Sequence, residues 1–331
     1  MPNRNKTALI LAGGQIVHGQ ASADGEVMPL EEEQVLACLP EEMRERVFAV
    51  DWSHQPLCHY TLRMCGDLVQ LAGRQVEEGS TGVVITCGTE ALTELAYFAD
   101  LVWSYPQPLV FTASINYAGT PGSETALHLS QAVRAAESRV TWGQGALVCL
   151  RDVLYAASEL SCISNYTRGG YTALSGGPIA EFFEPCGDLM ACRSIRRGKI
   201  MDIGTSPARS VEMLDASLGG GDILLSALLE GRASELDGLV ISAFGGGDIP
   251  PSWVPLLRKI MRSEVPVVLT SRCLAGRVQP GPDFEGSAKR LLEMGVMSAG
   301  VLTPLKARIR LAVGLGAELS GQSLRDYMLD K

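Results

Sequence analysis

What the chain lacks narrows its function before any motif is read. No C-x-x-C occurs and the four histidines are scattered, so a structural zinc site has little support. The nine cysteines (Cys38, Cys58, Cys65, Cys87, Cys149, Cys162, Cys186, Cys192 and Cys273) show no paired spacing. They read as reduced thiols and point to a cytoplasmic protein. No block of Lys and Arg interrupts a net charge of −9, which argues against nucleic acid or an anionic membrane surface as partner. The apolar run nearest the amino terminus is TALILA, closed by glycines. It has the length of a strand, too short for a signal-peptide core or a membrane span. Tandem repeats and low-complexity tracts are absent as well. Lysine is missing from a long stretch, with none between Lys6 and Lys199.

What is present describes a well-packed chain. Its 331 residues are 46% hydrophobic and 20% charged, enough for roughly two domains with a large core. Strand-length apolar runs (TALIL, VFAV, GVVIT, PLVFT, GALVCL) alternate with helical patterns such as Leu62 to Val76 and Thr125 to Ala136. That alternation predicts a mostly parallel sheet covered on both faces. From Tyr166 to Arg209 the chain turns to Gly, Pro and short polar segments, read as irregular or antiparallel structure. A second α/β unit follows, ending in a long helical tail from Pro304. The expected division is an N-terminal α/β domain over residues 1–190, a linker over 191–209 and a C-terminal α/β domain over 210–331.

The stretch GVVITCGTEALTELAYFADL, from Gly82 to Leu101, reads as a buried strand, a sharp turn and an amphipathic helix. Open α/β sheets place their chemistry at the carboxyl ends of their strands, and Thr89 and Glu90 fall there. A purely structural reading also exists. Thr89 suits a helix N-cap, and Glu90 and Glu94 suit the positive end of the helix dipole.

These residues resemble the second signature of the bacterial-type L-asparaginase/glutaminase family, H-G-T-D-T-x-x-E-T-A, here CGTEALTELA. Four further segments resemble family signatures in the same order: ALILAGGQIVHG, VFTASINYAGTPGSETALHLSQAV, GLVISAFGGGDIP and LTPLKARIRLAVGLG. The resemblance implies a larger N-terminal α/β domain, a smaller C-terminal one, and a site completed across a homodimer interface, with dimers pairing into homotetramers. It also implies hydrolysis of a side-chain amide of a small molecule by a threonine nucleophile. A second threonine, an aspartate and a lysine support that nucleophile, with no metal or organic cofactor.

Several key positions depart from the pattern. The nucleophile's place holds Gln15, and a carboxamide is not a nucleophile under ordinary conditions. Thr89 keeps the second threonine, while Glu90 replaces the aspartate with one extra methylene. The lysine's place falls on Cys162. The segment that holds the substrate α-carboxylate reads Asp51, Trp52, Ser53, so an indole stands where a hydroxyl is expected. In the C-terminal domain, G-N-G-N becomes Gly245, Gly246, Gly247 and Asp248, without the spacing of a phosphate loop. The loop HGQASADGEVM lacks the tyrosine that family members carry.

Three readings remain open. One is an asparaginase-fold enzyme working on a small molecule other than asparagine, by amide C–N hydrolysis or related chemistry, with Thr89, Glu90 and Gln15 as its catalytic group. In it, Trp52, Ser53, Ser114 and Cys162 bind the substrate. Another is a catalytically silent binding or scaffold protein. The third is an ordinary asparaginase with a misplaced nucleophile, but no threonine or serine lies between Thr7 and Ser22. The polar set Ser53, Thr89, Glu90, Ser114 and Glu124 favours a ligand site. Cys87 or Cys162 is a candidate thiol nucleophile and His54 or His59 a candidate base, each with a bland alternative as buried hydrophobe or solvated ring.

Overall fold

A computed structural model describes residues 5–19, 27–165, 167, 170–183 and 187–329. Most of the HGQASADGEVM loop and Cys186 lie outside them. Contacts divide the chain into Met1–Gly204 and Thr205–Lys331.

Among the described residues, the first unit is built on ten strands: β1 (Thr7–Ala12), β2 (Val47–Ser53), β3 (Gly82–Thr86), β4 (Leu109–Thr112), β5 (Ala146–Leu150), β6 (Val153–Ala156), β7 (Leu160–Cys162), β8 (Tyr171–Ala173), β9 (Ala180–Phe182) and β10 (Leu189–Ala191). Its helices are α1 (Glu32–Leu36), α2 (Glu41–Arg44), α3 (Leu62–Glu77), α4 (Leu92–Val102) and α5 (Thr125–Glu137). Eight strands form one sheet in the order β10-β9-β6-β5-β4-β3-β1-β2. The strands from β2 to β5 run parallel, and β6, β9 and β10 continue antiparallel.

The central strands read as unbroken apolar runs because both faces are covered. Leu9, Leu11, Val84, Val110 and Leu147 pack with Leu129, Ala132 and Val133 of α5. Each fully buried aliphatic side chain of this kind contributes about 1.5–3 kcal/mol. The segment after β6 is antiparallel, as expected, with β7 and β8 forming a separate two-stranded hairpin.

The second unit carries β11 (Val211–Asp215), β12 (Gly238–Ala243), β13 (Val267–Ser271) and β14 (Met297–Ser298) in one parallel sheet in that order. Its helices are α6 (Asp222–Gly231), α7 (Trp253–Arg262), α8 (Ala288–Met294), α9 (Pro304–Gly316) and α10 (Gly321–Leu329). Trp253, Leu257 and Ile260 of α7 join Leu239, Ile241 and Leu269 in one core cluster. The expected long helical tail is two helices. The chain breaks after Gly316, and Glu318 takes a φ of 59° that a continuing helix does not allow. The fold is therefore a larger α/β unit with a mostly parallel sheet and a smaller, parallel-sheet α/β unit.

Candidate functional site

Two backbone approaches build the site at the carboxyl ends of β1, β2 and β3. After β1 the chain passes through Gly13 and Gly14 at φ of 89° and 80°, a region that a β-carbon disfavours. A β-carbon on Gly14 would collide with the carbonyl of Cys87, and one on Gly13 with the carbonyl of Gln55. The A-G-G-Q turn therefore lies main chain to main chain against both neighbouring turns.

Gln15 opens a short helical turn, and its carbonyl accepts the Ala118 N–H at 3.2 Å. Its side-chain Oε1 is buried without a hydrogen-bond partner. On β2, Ser53 stands opposite Ala12 after a register shift in the strand pair. The Ser53 hydroxyl accepts the Gln55 N–H at 3.1 Å. Trp52 and Ser53 face the hydroxyl of Tyr60, which donates to the Ala12 carbonyl at 3.2 Å. Burial raises the phenol's pKa, so Tyr60 stays protonated.

Thr89 does not cap the helix that follows. Helix α4 starts at Leu92, its N-cap is Ala91, and no side chain caps it. The chain runs on because the Glu90 carboxylate folds back over Gly88 and accepts the Leu57 N–H at 2.7 Å. Glu94 alone of the two glutamates sits in the first turn of α4. Thr89 is instead held by its carbonyl, which accepts the Tyr171 hydroxyl at 2.8 Å. Burial is the largest of the effects that raise the Tyr171 pKa, so this phenol also remains a donor.

Cys162 ends β7 directly opposite Tyr171. It is exposed, and its thiol lies 3.6 Å from the Ser164 carbonyl. Ser114 lies just beyond β4, and its hydroxyl is 2.8 Å from the Asn116 carbonyl and 3.2 Å from Glu124 Oε2. Cys87 is fully buried, and burial pushes its thiol pKa far upward. That environment makes a poor thiolate nucleophile. His54 sits 3.3 Å from Asp51, while His59 is exposed on the turn after it. Among the described residues, no group of three His, Cys, Asp or Glu is placed to hold a metal ion.

One network left no sequence signal. Buried His128 of α5 places Nδ1 2.7 Å from the Ala113 carbonyl, and its Nε2 accepts the Arg151 N–H at 3.2 Å. Both bonds require the neutral ring with its proton on Nδ1. Arg151 and Asp152 turn from β5 to β6 at φ of 49° and 66°. Asp152 is gripped by Gln131, one helical turn beyond His128. Burial is the main cause of a lowered His128 pKa, against the opposing influence of Glu124 and Asp152.

Family models match nearly the whole chain. The model described as Asparaginase, N-terminal, covers residues 6–187, and that of the Glutaminase/Asparaginase C-terminal domain covers residues 210–328. An L-asparaginase of Bacillus licheniformis is 25% identical over 323 residues, spanning 96% of this chain and 97% of that protein. A protein of Deinococcus radiodurans named as a probable L-asparaginase is 29% identical over 330 residues, with 97% and 96% covered. A glutamyl-tRNA(Gln) amidotransferase component of Methanothermobacter thermautotrophicus is 24% identical over 266 residues, with 77% of this chain and 58% of that one covered. The crystal structure of a probable cytoplasmic L-asparaginase from Campylobacter jejuni has the same fold. Its TM-score is 0.86 at 20% identity, with 99% of this chain and 100% of that one covered.

Proposed function

Given that this chain belongs to the asparaginase family, we propose that it is an amidohydrolase-type protein acting on a small molecule other than asparagine. The observation that carries this reading is the placement of Thr89. Its backbone is anchored by Tyr171 and its side chain is not spent on capping α4, which leaves the hydroxyl available for chemistry. In the proposed reaction the Thr89 hydroxyl attacks the carbonyl carbon and Glu90 takes its proton. That proton passes to the leaving nitrogen as the C–N bond breaks, and water then releases the acyl group. Gln15 orients the ligand as donor and acceptor, with Trp52, Ser53, Ser114 and Cys162 forming the rest of the site.

A second reading is favoured by Gln15 itself. With a carboxamide where the family keeps its nucleophile, the same cradle would bind a ligand without turning it over. Incubating the purified protein with a panel of amides, imides and lactams separates the two. Release of amine or ammonia that is lost in Thr89→Val supports the enzyme. Saturable binding with no product supports the silent binder.

The protein is further proposed to work in the cytoplasm as a homodimer or homotetramer. No helix among the described residues is long and apolar enough to cross a membrane. Light scattering that returns a clean 35.3 kDa monomer at working concentration would remove the assembly from this proposal.

A further inference from the structure

Among the described residues, the β7–β8 hairpin pairs with no strand of the larger sheet. It nonetheless carries Tyr171, whose hydroxyl holds the Thr89 carbonyl. A lone two-stranded hairpin is marginal in water, so its attachments decide where Tyr171 stands. Leu160 and Ala173, paired at one end of the short ladder, are buried. Cys162 and Tyr171 are paired at the other end, and that end reaches Thr89.

Just outside the buried end lies an ion pair. Arg193 Nη2 meets Glu159 Oε2, and Nη1 meets Oε1 at 3.4 Å, so the contact has two prongs. Nη2 also donates to the Gly177 carbonyl at 2.9 Å. Glu159 immediately precedes β7, and Gly177 follows β8, with its N–H on the Ala173 carbonyl at 3.1 Å. One guanidinium therefore grips the chain both entering and leaving the hairpin. A β-carbon on Gly176 would collide with both charged heads, so the pair lies directly on the returning chain.

Arg193 itself is rooted in the larger sheet. It follows β10, and the N–H groups of Cys192 and Arg193 reach the Ile179 carbonyl at 2.9 and 3.2 Å. The Ile179 N–H in turn bonds Leu154 of β6 at 2.7 Å. The pair thus ties the separate hairpin to the eight-stranded sheet. Exposed ion pairs contribute little, but a two-pronged Arg–carboxylate contact is the exception. Here the side chains are only 27% and 23% exposed.

We propose that Arg193 and Glu159 are positioning residues for Thr89, acting through the hairpin and the Tyr171 hydroxyl. Their value to catalysis rests on the reading of Thr89 as the reacting hydroxyl. The clasp fixes the hairpin, the hairpin fixes the phenol, and the phenol fixes the turn that bears Thr89 and Glu90.

The test is amide hydrogen exchange of the full-length protein, with a double-mutant cycle to measure the coupling. The Leu57 N–H, held by the Glu90 carboxylate at 2.7 Å, reports on the Thr89–Glu90 turn. The Ile163 N–H, on the Gly170 carbonyl at 2.7 Å, reports on the hairpin. Arg193→Gln should speed exchange at both by about tenfold, the change that about 1.4 kcal/mol brings, while Ile10 of β1 stays as protected as before. In a Tyr171→Phe background, Arg193→Gln should still speed Ile163 but add nothing at Leu57. Should Arg193→Gln fail to fold, Glu159→Gln carries the same comparison. Leu57 exchange indifferent to the folded variant overturns the proposal. So does an effect at Leu57 that adds fully to that of Tyr171→Phe, or one matched by an equal rise at Ile10. Exchange is read without substrate, so coupling in a protein that turns over no amide supports this proposal while counting against the hydrolytic one. Turnover that is lost in Thr89→Val, with Leu57 indifferent to Arg193→Gln, does the reverse.

Discussion

The hydroxyl of Tyr171 donates to the backbone carbonyl of Thr89 across 2.8 Å, joining the β7–β8 hairpin to the turn that carries Thr89 and Glu90. Tyr171→Phe keeps the ring and removes the donor, leaving that carbonyl without its partner. A loss of about 1–2 kcal/mol is expected, together with looser placement of Thr89. Urea denaturation reads the first, and amide hydrogen exchange over Gly88 to Ala91 reads the second. An unchanged midpoint would show that water replaces the phenol at no cost.

Thr89→Val should leave the melting temperature nearly unchanged, because the side chain does not cap α4. A loss near the ~1 kcal/mol of a removed cap would contradict the observed geometry. Glu90→Gln keeps an acceptor for the Leu57 N–H but gives up the charge, at a cost of about 1 kcal/mol. If the two residues form the reactive pair, either substitution abolishes turnover of whatever amide the panel identifies. Intact turnover in both variants would remove them from the chemistry.

Hydrolysis of L-asparagine and L-glutamine should be negligible. Gln15 stands where the nucleophile is expected, and no lysine occurs between Lys6 and Lys199. Residues that act as a catalytic unit are strongly non-additive, so Gln15→Thr alone should recover little activity. Ammonia release from asparagine on the order of 10 per second would overturn this expectation.

Stability should fall on mild acidification through His128. An unfolded histidine takes up a proton near its ordinary value of 6.5, whereas burial lowers the folded value. The unfolded chain therefore binds more protons in the interval between the two. The contribution is fully present above about pH 6.5 and is lost as pH falls toward the lowered folded value. Protonation also forces Nε2 to carry a hydrogen where it now accepts the Arg151 N–H. Urea midpoints should drop between about pH 7.5 and about pH 5.5, and His128→Gln should flatten that dependence. A wild-type midpoint that stays level over this range would show that the folded ring titrates like a free one.

The strands were legible because the sheet buries both faces, so Thr7–Ala12 and Gly82–Thr86 appear as continuous apolar runs closed by glycines. Helix α4 was legible from the spacing of Leu92, Leu95, Ala96 and Ala99, all of them buried. Its start was not. T-E before an apolar face resembles a cap, and what displaces it is the Leu57 N–H, 33 residues earlier in the chain. Tyr171 and His128 escaped notice for the same reason. Each acts through a bond to a distant backbone atom, 82 residues away for Tyr171 and 23 for His128. Such bonds leave no local periodicity or spacing to read.

The close main-chain approaches at Gly13 and Gly14 bear on how this site can be altered in the laboratory. Their left-handed geometry and their contacts with Gln55 and Cys87 involve no side chain at position 15 or 89. The platform is therefore stored in the backbone, and the side chains project from it as exchangeable fittings. Libraries that randomise Gln15, Trp52 and Cys162 together should stay largely folded, whereas those that touch Gly13 or Gly14 should collapse. A search for new amide chemistry can then cover many side-chain combinations on one intact frame.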